Sequence, residues 1–253
     1  GDVYKRQAPT WFVFENVYGL TKFKNGEENI QNHIENRFRD IGYTVKSKIL
    51  YASDFGVPQR RNRLFIVGNR NGIDFEFPKE FDYSVSVDEA ISDLPVLGNG
   101  EIQMKGEYTV PFEQASPYAQ LMRKKSKAPT QNIVSRNKDY VVERYKYIGQ
   151  GENWSSIPDR LMENYADKKR CHSGIYKRLI GGKPSVVISN YRKSMLIHPH
   201  QDRGLSVREA ARLQSFPDHF IFEGPVSYVQ QQIGNAVPPL LAKAVMKKIL
   251  TYK

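Results

Sequence analysis

Two short apolar runs, Thr10-Trp11-Phe12-Val13-Phe14 and Arg63-Leu64-Phe65-Ile66-Val67-Gly68, constrain this chain more than any other feature. Unbroken β-branched and aromatic runs suit strands covered on both faces, and the first is of the kind buried in a parallel sheet. Between them Ile30, Ile34, Phe38 and Ile41 recur at helical spacing, which predicts a helix over 28–41 that Gly42 ends. Residues 43–52 then alternate toward Asp54-Phe55-Gly56-Val57-Pro58, a Gly/Pro turn. Strand, helix, strand, turn and strand predict part of an α/β sheet.

From about Asn69 to His200 the pattern loosens into short segments rich in Gly, Pro, Asn and Tyr, which reads as a second, smaller and irregular lobe. Ser206 then suits an N-cap, and Glu209 three residues on completes a capping box for a helix through Gln214 that Phe216-Pro217 ends. Residues 238–250 predict a last helix with Leu240, Leu241, Ala244, Val245 and Ile249 on an apolar stripe, and with Lys243, Lys247 and Lys248 facing away. That stripe is expected to pack back on the sheet. The expected divisions are 8–68, 69–200 and 201–253. Residues 1–7 are set aside, because Asp2-Val3-Tyr4-Lys5-Arg6-Gln7 resembles the translation of a transposon-end adapter used in sequencing libraries. With no initiator Met, the expectation is a gene entered midway, its upstream part lost.

The net charge of +11 is localised: residues 121–194 hold 17 Lys+Arg against 6 Asp+Glu, and the rest of the chain is balanced. Tyr140, Tyr145, Tyr147, Trp154, Tyr165, Tyr176 and Tyr191 lie among those charges. Such a surface suits phosphates, although solubilising faces and acidic partners use similar patches. No apolar run approaches the ~20 residues needed to cross a bilayer, so no membrane partner is expected. Cys171 is the sole cysteine and forms neither an internal disulfide nor, by itself, a metal site. His172, His198 and His200 lack ligand spacing, so no metal is expected.

Four segments recur in a fixed order: Glu15-Asn16-Val17, then Pro58-Gln59-Arg60-Arg61-Asn62-Arg63, then residues 203–218 ending Gln214-Ser215-Phe216-Pro217-Asp218, then Gln232-Ile233-Gly234-Asn235-Ala236-Val237-Pro238-Pro239. The tripeptide alone is common; the long third run with the fourth downstream is highly specific. In this order they resemble the later signature motifs of the DNA cytosine-5 methyltransferases, and they frame residues 11–250. The resemblance implies the C-terminal portion of a Rossmann-like methyltransferase domain that uses S-adenosylmethionine, plus a target recognition domain over roughly 69–196. That interval contains the whole basic patch.

Several roles follow from the resemblance. Glu15 would share or donate a proton at N3 of the target cytosine. Arg63 would bond the base carbonyl and the nearby carboxylate, and Arg61 would hold phosphates around the extruded nucleotide. Asn235 and Ala236 would contact the cofactor. Gln59, Arg60, Lys168, Lys169, Arg170, Lys177, Arg178, Arg192 and Lys193 are the expected DNA contacts, with duplex DNA the substrate. Arg203 and Arg208 are expected to be internal ion-pair partners in a segment that braces the recognition lobe, and not base readers.

The family's Gly-rich cofactor loop, acidic ribose-binding residue and Pro-Cys nucleophile loop precede the Glu-Asn-Val segment and have no counterpart in residues 1–14. Cys171 lies downstream without a preceding proline and is not that nucleophile. The expectation is therefore an inactive piece of a bacterial or phage restriction-modification enzyme, cytoplasmic and monomeric when full length. A split enzyme completed by a separate N-terminal half, a non-catalytic DNA-binding module and an RNA substrate remain open alternatives.

Overall fold

The computed structural model describes residues 6–25, 28–163, 174–189, 191 and 195–252. The sheet region comprises β1 (Trp11–Val17), α1 (Ile30–Arg39), β2 (Thr44–Tyr51) and β3 (Asn62–Asn69). Helix α1 begins at Ile30 rather than at 28 because Asn29 takes the N-cap, its side chain accepting from the Gln31 amide at 2.8 Å. Beyond the helix, Gly42 turns left-handed at φ 89°.

The three strands pair in the order β1-β3-β2, and both pairings are antiparallel. This corrects the parallel expectation for the first run. β1 and β2 do run in the same direction, as their helical crossover requires. The short 52–61 turn, however, permits only an antiparallel return, and β3 slots between them. Both faces of the sheet are covered, as the apolar runs demand. Phe12, Leu64 and Ile66 lie under Ile34 and Phe38 of α1. On the other face Phe65 and Val67 lie under the last helix, α7 (Pro239–Leu250), through Leu241, Val245 and Ile249.

In chain order, the second lobe contains α2 (Val87–Ile91), β4 (Ile102–Lys105), α3 (Pro117–Arg123), β5 (Thr130–Ile133), α4 (Asp139–Tyr145), α5 (Val207–Leu213) and α6 (Val226–Asn235). Its largest apolar cluster joins Val87 and Ile91 of α2, Tyr118 and Met122 of α3, Leu179 and Ile188, Leu213 of α5 and Ile233 of α6. Helix α5 is thus inside this lobe, capped as expected by the reciprocal Ser206 and Glu209 bonds.

Three fully buried arginines brace it. Arg203 meets Glu209 through both Nη atoms at 2.9 and 2.6 Å. Arg208 donates to the carbonyls of Thr130 and Phe220 at 2.8 and 3.0 Å and forms no ion pair among the described residues, which corrects the ion-pair expectation for it: carbonyls satisfy its guanidinium. Arg212 joins Asp218 at 2.5 and 2.6 Å to Asp93 at 2.9 and 3.3 Å.

Candidate functional site

Antiparallel register places Val17 opposite Arg63 and Glu15 opposite Phe65, so Glu15 and Arg63 are diagonal neighbours on one sheet face. Arg63 Nε lies 2.7 Å from Glu15 Oε1. The contact is an ion pair without the alignment of a hydrogen bond, since Oε1 is buried and has no aligned donor among the described residues. Arg63 also donates to its neighbour's Asn62 carbonyl at 3.0 Å. The Glu15 side chain keeps 24% of its surface and Arg63 9%, which leaves the carboxylate the more accessible partner. Burial pushes the Glu15 carboxyl above the ordinary carboxylate range, and the Arg63 charge offsets only part of that. The same burial lowers the Arg63 guanidinium against the pull of Glu15. The result is a carboxyl group that holds a proton more readily than a surface glutamate, beside a fixed cation.

The adjacent basic cluster points in two directions. Arg60 is exposed. Arg61 is 2% exposed and donates inward to the carbonyls of Ile188 at 2.9 Å and Gly234 at 2.7 Å. Gln59, fully buried, accepts from the Ile188 amide at 2.9 Å and donates to Gln214 Oε1 at 2.5 Å. The expected phosphate role of Arg61 and the expected DNA contact of Gln59 are corrected accordingly: the Gln59 amide and both Arg61 Nη atoms are held by internal partners, and Arg61 Nε is buried with no partner among the described residues. Arg178 is corrected for the same reason, its guanidinium being buried among the carbonyls of Ile148, Tyr145, His198 and Gln201 with Asp202 alongside. Lys177 is half-buried and donates to the Gly151 carbonyl. Lys168, Lys169, Arg170, Arg192 and Lys193 lie outside the described residues, as do Cys171 and His172.

Asn235 ends α6 and is exposed, while Ala236 is half-buried and its carbonyl accepts from Gln214 at 3.0 Å. Sequence reasoning missed Gln214, whose amide ties Gln59 to this turn by also donating to the Ile233 carbonyl at 2.7 Å. Its signal was a lone amide beside Leu213 and Phe216 at the end of a buried helix. Basic residues on the exterior of the lobe include Lys124, Lys125, Lys127, Arg136, Lys138, Lys146, Arg160 and Lys183.

A sheet layered between helices, joined to a lobe that closes back on its edge, is the α/β fold of S-adenosylmethionine-dependent DNA methyltransferases. A putative DNA modification methyltransferase encoded within a prophage of E. coli matches it with TM-score 0.70, covering 98% of this chain and 71% of that one at 23% identity. The chain belongs to the C-5 cytosine-specific DNA methylase family, which matches residues 2–251. It is 34% identical over 250 residues to the Type II methyltransferase M1.HphI of Haemophilus parahaemolyticus, covering 98% of this chain and 58% of that protein. The Type II methyltransferase M.DdeI of Desulfomicrobium norvegicum is 33% identical over 267 residues, 97% of this chain and 64% of its own. The chain spans about three fifths of the length of these relatives. Among the described residues no helix is long and apolar enough to cross a membrane.

Proposed function

We propose that this chain is the base-holding and DNA-reading portion of a restriction-modification cytosine-5 methyltransferase acting on duplex DNA. The observation that carries the reading is the Glu15–Arg63 pair at the end of β1, a proton-holding carboxyl beside a cation at 2.7 Å. Carbon 5 of cytosine becomes nucleophilic only after a thiolate adds to carbon 6, and that addition places negative charge on the ring. Glu15 relieves the charge by supplying or sharing a proton at N3. Arg63 orients the Glu15 carboxyl and donates to the base carbonyl. The base must leave the stack to reach them.

S-adenosylmethionine, when bound, supplies the methyl group. Of the residues here, exposed Asn235 fits contact with its amino-acid end, since no described residue engages its amide, and Ala236 offers backbone contact only. Arg60 and the exposed lysines and arginines of the lobe meet phosphates. Cys171, the one cysteine of the chain, lies in the recognition interval and not beside Glu15 in sequence. The nucleophile in this reading comes from a Pro-Cys loop outside these 253 residues, on a preceding segment or a separate N-terminal half.

The test is to incubate the 253-residue polypeptide with duplex DNA and labelled S-adenosylmethionine while measuring duplex affinity against salt. Salt-dependent duplex binding without methyl transfer is expected. Turnover would overturn the division of labour, and failure to bind duplex would overturn the DNA-reading role.

A further inference from the structure

Arg61 stands two residues before Arg63, yet its guanidinium faces the interior of the protein. One Nη holds the carbonyl of Ile188 in the recognition lobe, and the other holds the carbonyl of Gly234 beside the cofactor-side turn, at 2.9 and 2.7 Å. Neither acceptor is charged. The same two segments meet directly: a Cβ on Gly234 would lie 2.2 Å from the Ser189 carbonyl oxygen and 2.7 Å from its carbon, so only glycine allows this approach. The 185–188 strip is also annealed to the strand entry. The Arg60 amide donates to the Ser185 carbonyl at 2.8 Å, the Ser185 amide to the Pro58 carbonyl at 3.0 Å, and the Ile188 amide to Gln59. Gln214 completes the ring by linking Gln59 to the carbonyls of Ile233 and Ala236.

We infer that Arg61 is a positioning residue: its one guanidinium fixes the recognition-lobe segment 185–189 and the turn 234–236 against the strand end that carries Arg63. The inference deepens the proposed function and rests on it where DNA binding is invoked. Its consequence is coupling. Exposed Val186 and Val187 belong to the strip, and exposed Asn235 follows Gly234, so a disturbance at one surface moves the other. Gly234, buried against the Ser189 carbonyl, therefore influences duplex affinity.

The experiment compares wild type, R61K, R61M and G234A in duplex affinity across a salt series and in amide hydrogen exchange of the free protein. A phosphate ligand would be largely rescued by lysine, and R61M would flatten the log–log salt slope by ~0.9. A positioning residue behaves otherwise, because lysine lacks the planar fork that spans two carbonyls. The expected result is weaker binding by about five- to a hundredfold in all three variants, the usual range of coupling between sites, with an unchanged slope. In the free protein R61K should speed exchange at Ile188 and Ala236 together, while Leu64, Ile66 and Val67 stay protected.

Rescue by lysine with a reduced slope in R61M would overturn the inference. So would exchange that rises at only one of the two segments. If the R61K sheet loses protection, G234A decides alone: faster exchange at Ile188 supports the clamp and unchanged exchange overturns it. Should wild type bind no duplex, the proposed function falls while the exchange comparison still judges the clamp.

Discussion

Replacing Arg212 with methionine tests whether the second lobe is held by its buried charges. Arg212 is fully buried and spends its donors on Asp218, Asp93 and the Ala90 carbonyl. Asp218 and Asp93 are themselves 0% and 3% exposed, so R212M leaves two interior carboxylates with their weaker partners alone, Asp218 with the Tyr108 hydroxyl at 2.6 Å and Asp93 with Arg123 at 3.4 Å. Breaking a buried pair from one side costs ~3–5 kcal/mol. For a domain of this size each kcal/mol lowers Tm by roughly 2–4 °C, so the expected drop is about 6–20 °C.

Burial raises the Asp218 carboxyl, and the Arg212 bonds and charge more than reverse this, leaving it below its ordinary value. Without Arg212 the burial effect prevails and protonation relieves the strain, so the deficit of R212M against wild type should narrow as pH falls. Neutralising both acids as well, in R212M/D93N/D218N, should recover most of the loss. Thermal melts followed by circular dichroism read each of these. An R212M melting point within about 2 °C of wild type at neutral pH would refute the argument, since so small a change means the carboxylates were never dependent on the guanidinium.

Two further outcomes follow from packing and titration. Burial lowers His198 from 6.5 to about 4, while its Nδ1 accepts from the His200 amide at 3.1 Å and its Nε2 faces Glu209 at 3.8 Å. The unfolded chain takes up that proton first, so stability is complete above pH 6.5 and falls by ~3 kcal/mol on the way to pH 4. Against the burial that raises it, Arg203 holds Glu209 at about 2 instead of 4.5, and this contribution is lost as pH falls from 4.5 to 2. Urea titrations at stepped pH should show H198Q losing only the upper part of this dependence. In the sheet, a Cβ on Gly68 would sit 2.1 Å from the Phe12 ring, so G68A should cost ~1–3 kcal/mol, and F12L should restore part of it. A double-mutant cycle without coupling would count against that contact.

The sequence made the strands, the helical stripe of α7 and the capping box of Ser206 and Glu209 legible because each is local: apolar period, turn chemistry and cap spacing act within a few residues. Strand direction in the sheet was not legible, since an unbroken apolar run such as Trp11 to Phe14 looks the same beside a parallel or an antiparallel neighbour. The basic patch misled for a related reason. Arg123, Arg144 and Arg178 count toward the charge but are 7%, 3% and 6% exposed. Arg178 is satisfied by four carbonyls from two stretches that lie on either side of it in the chain, 145–148 and 198–201, an arrangement that no spacing announces. The same holds at the site. The pairing of Arg63 with Glu15 was readable from motif order, whereas the inward turn of Arg61 depends on Ile188 and Gly234, well over a hundred residues downstream.

The cover that α7 gives the sheet has a consequence for biosynthesis. Phe65 and Val67 are closed over by Leu241, Val245 and Ile249, so one sheet face has only nearby cover such as Phe55, Phe75 and Phe77 until the ribosome has made the last helix. At ~5–20 residues per second, the stretch from Asn69 to Leu250 takes on the order of ten to forty seconds. Through that interval the nascent sheet presents apolar surface that the finished fold buries, the kind of surface that exposes a folding chain to aggregation.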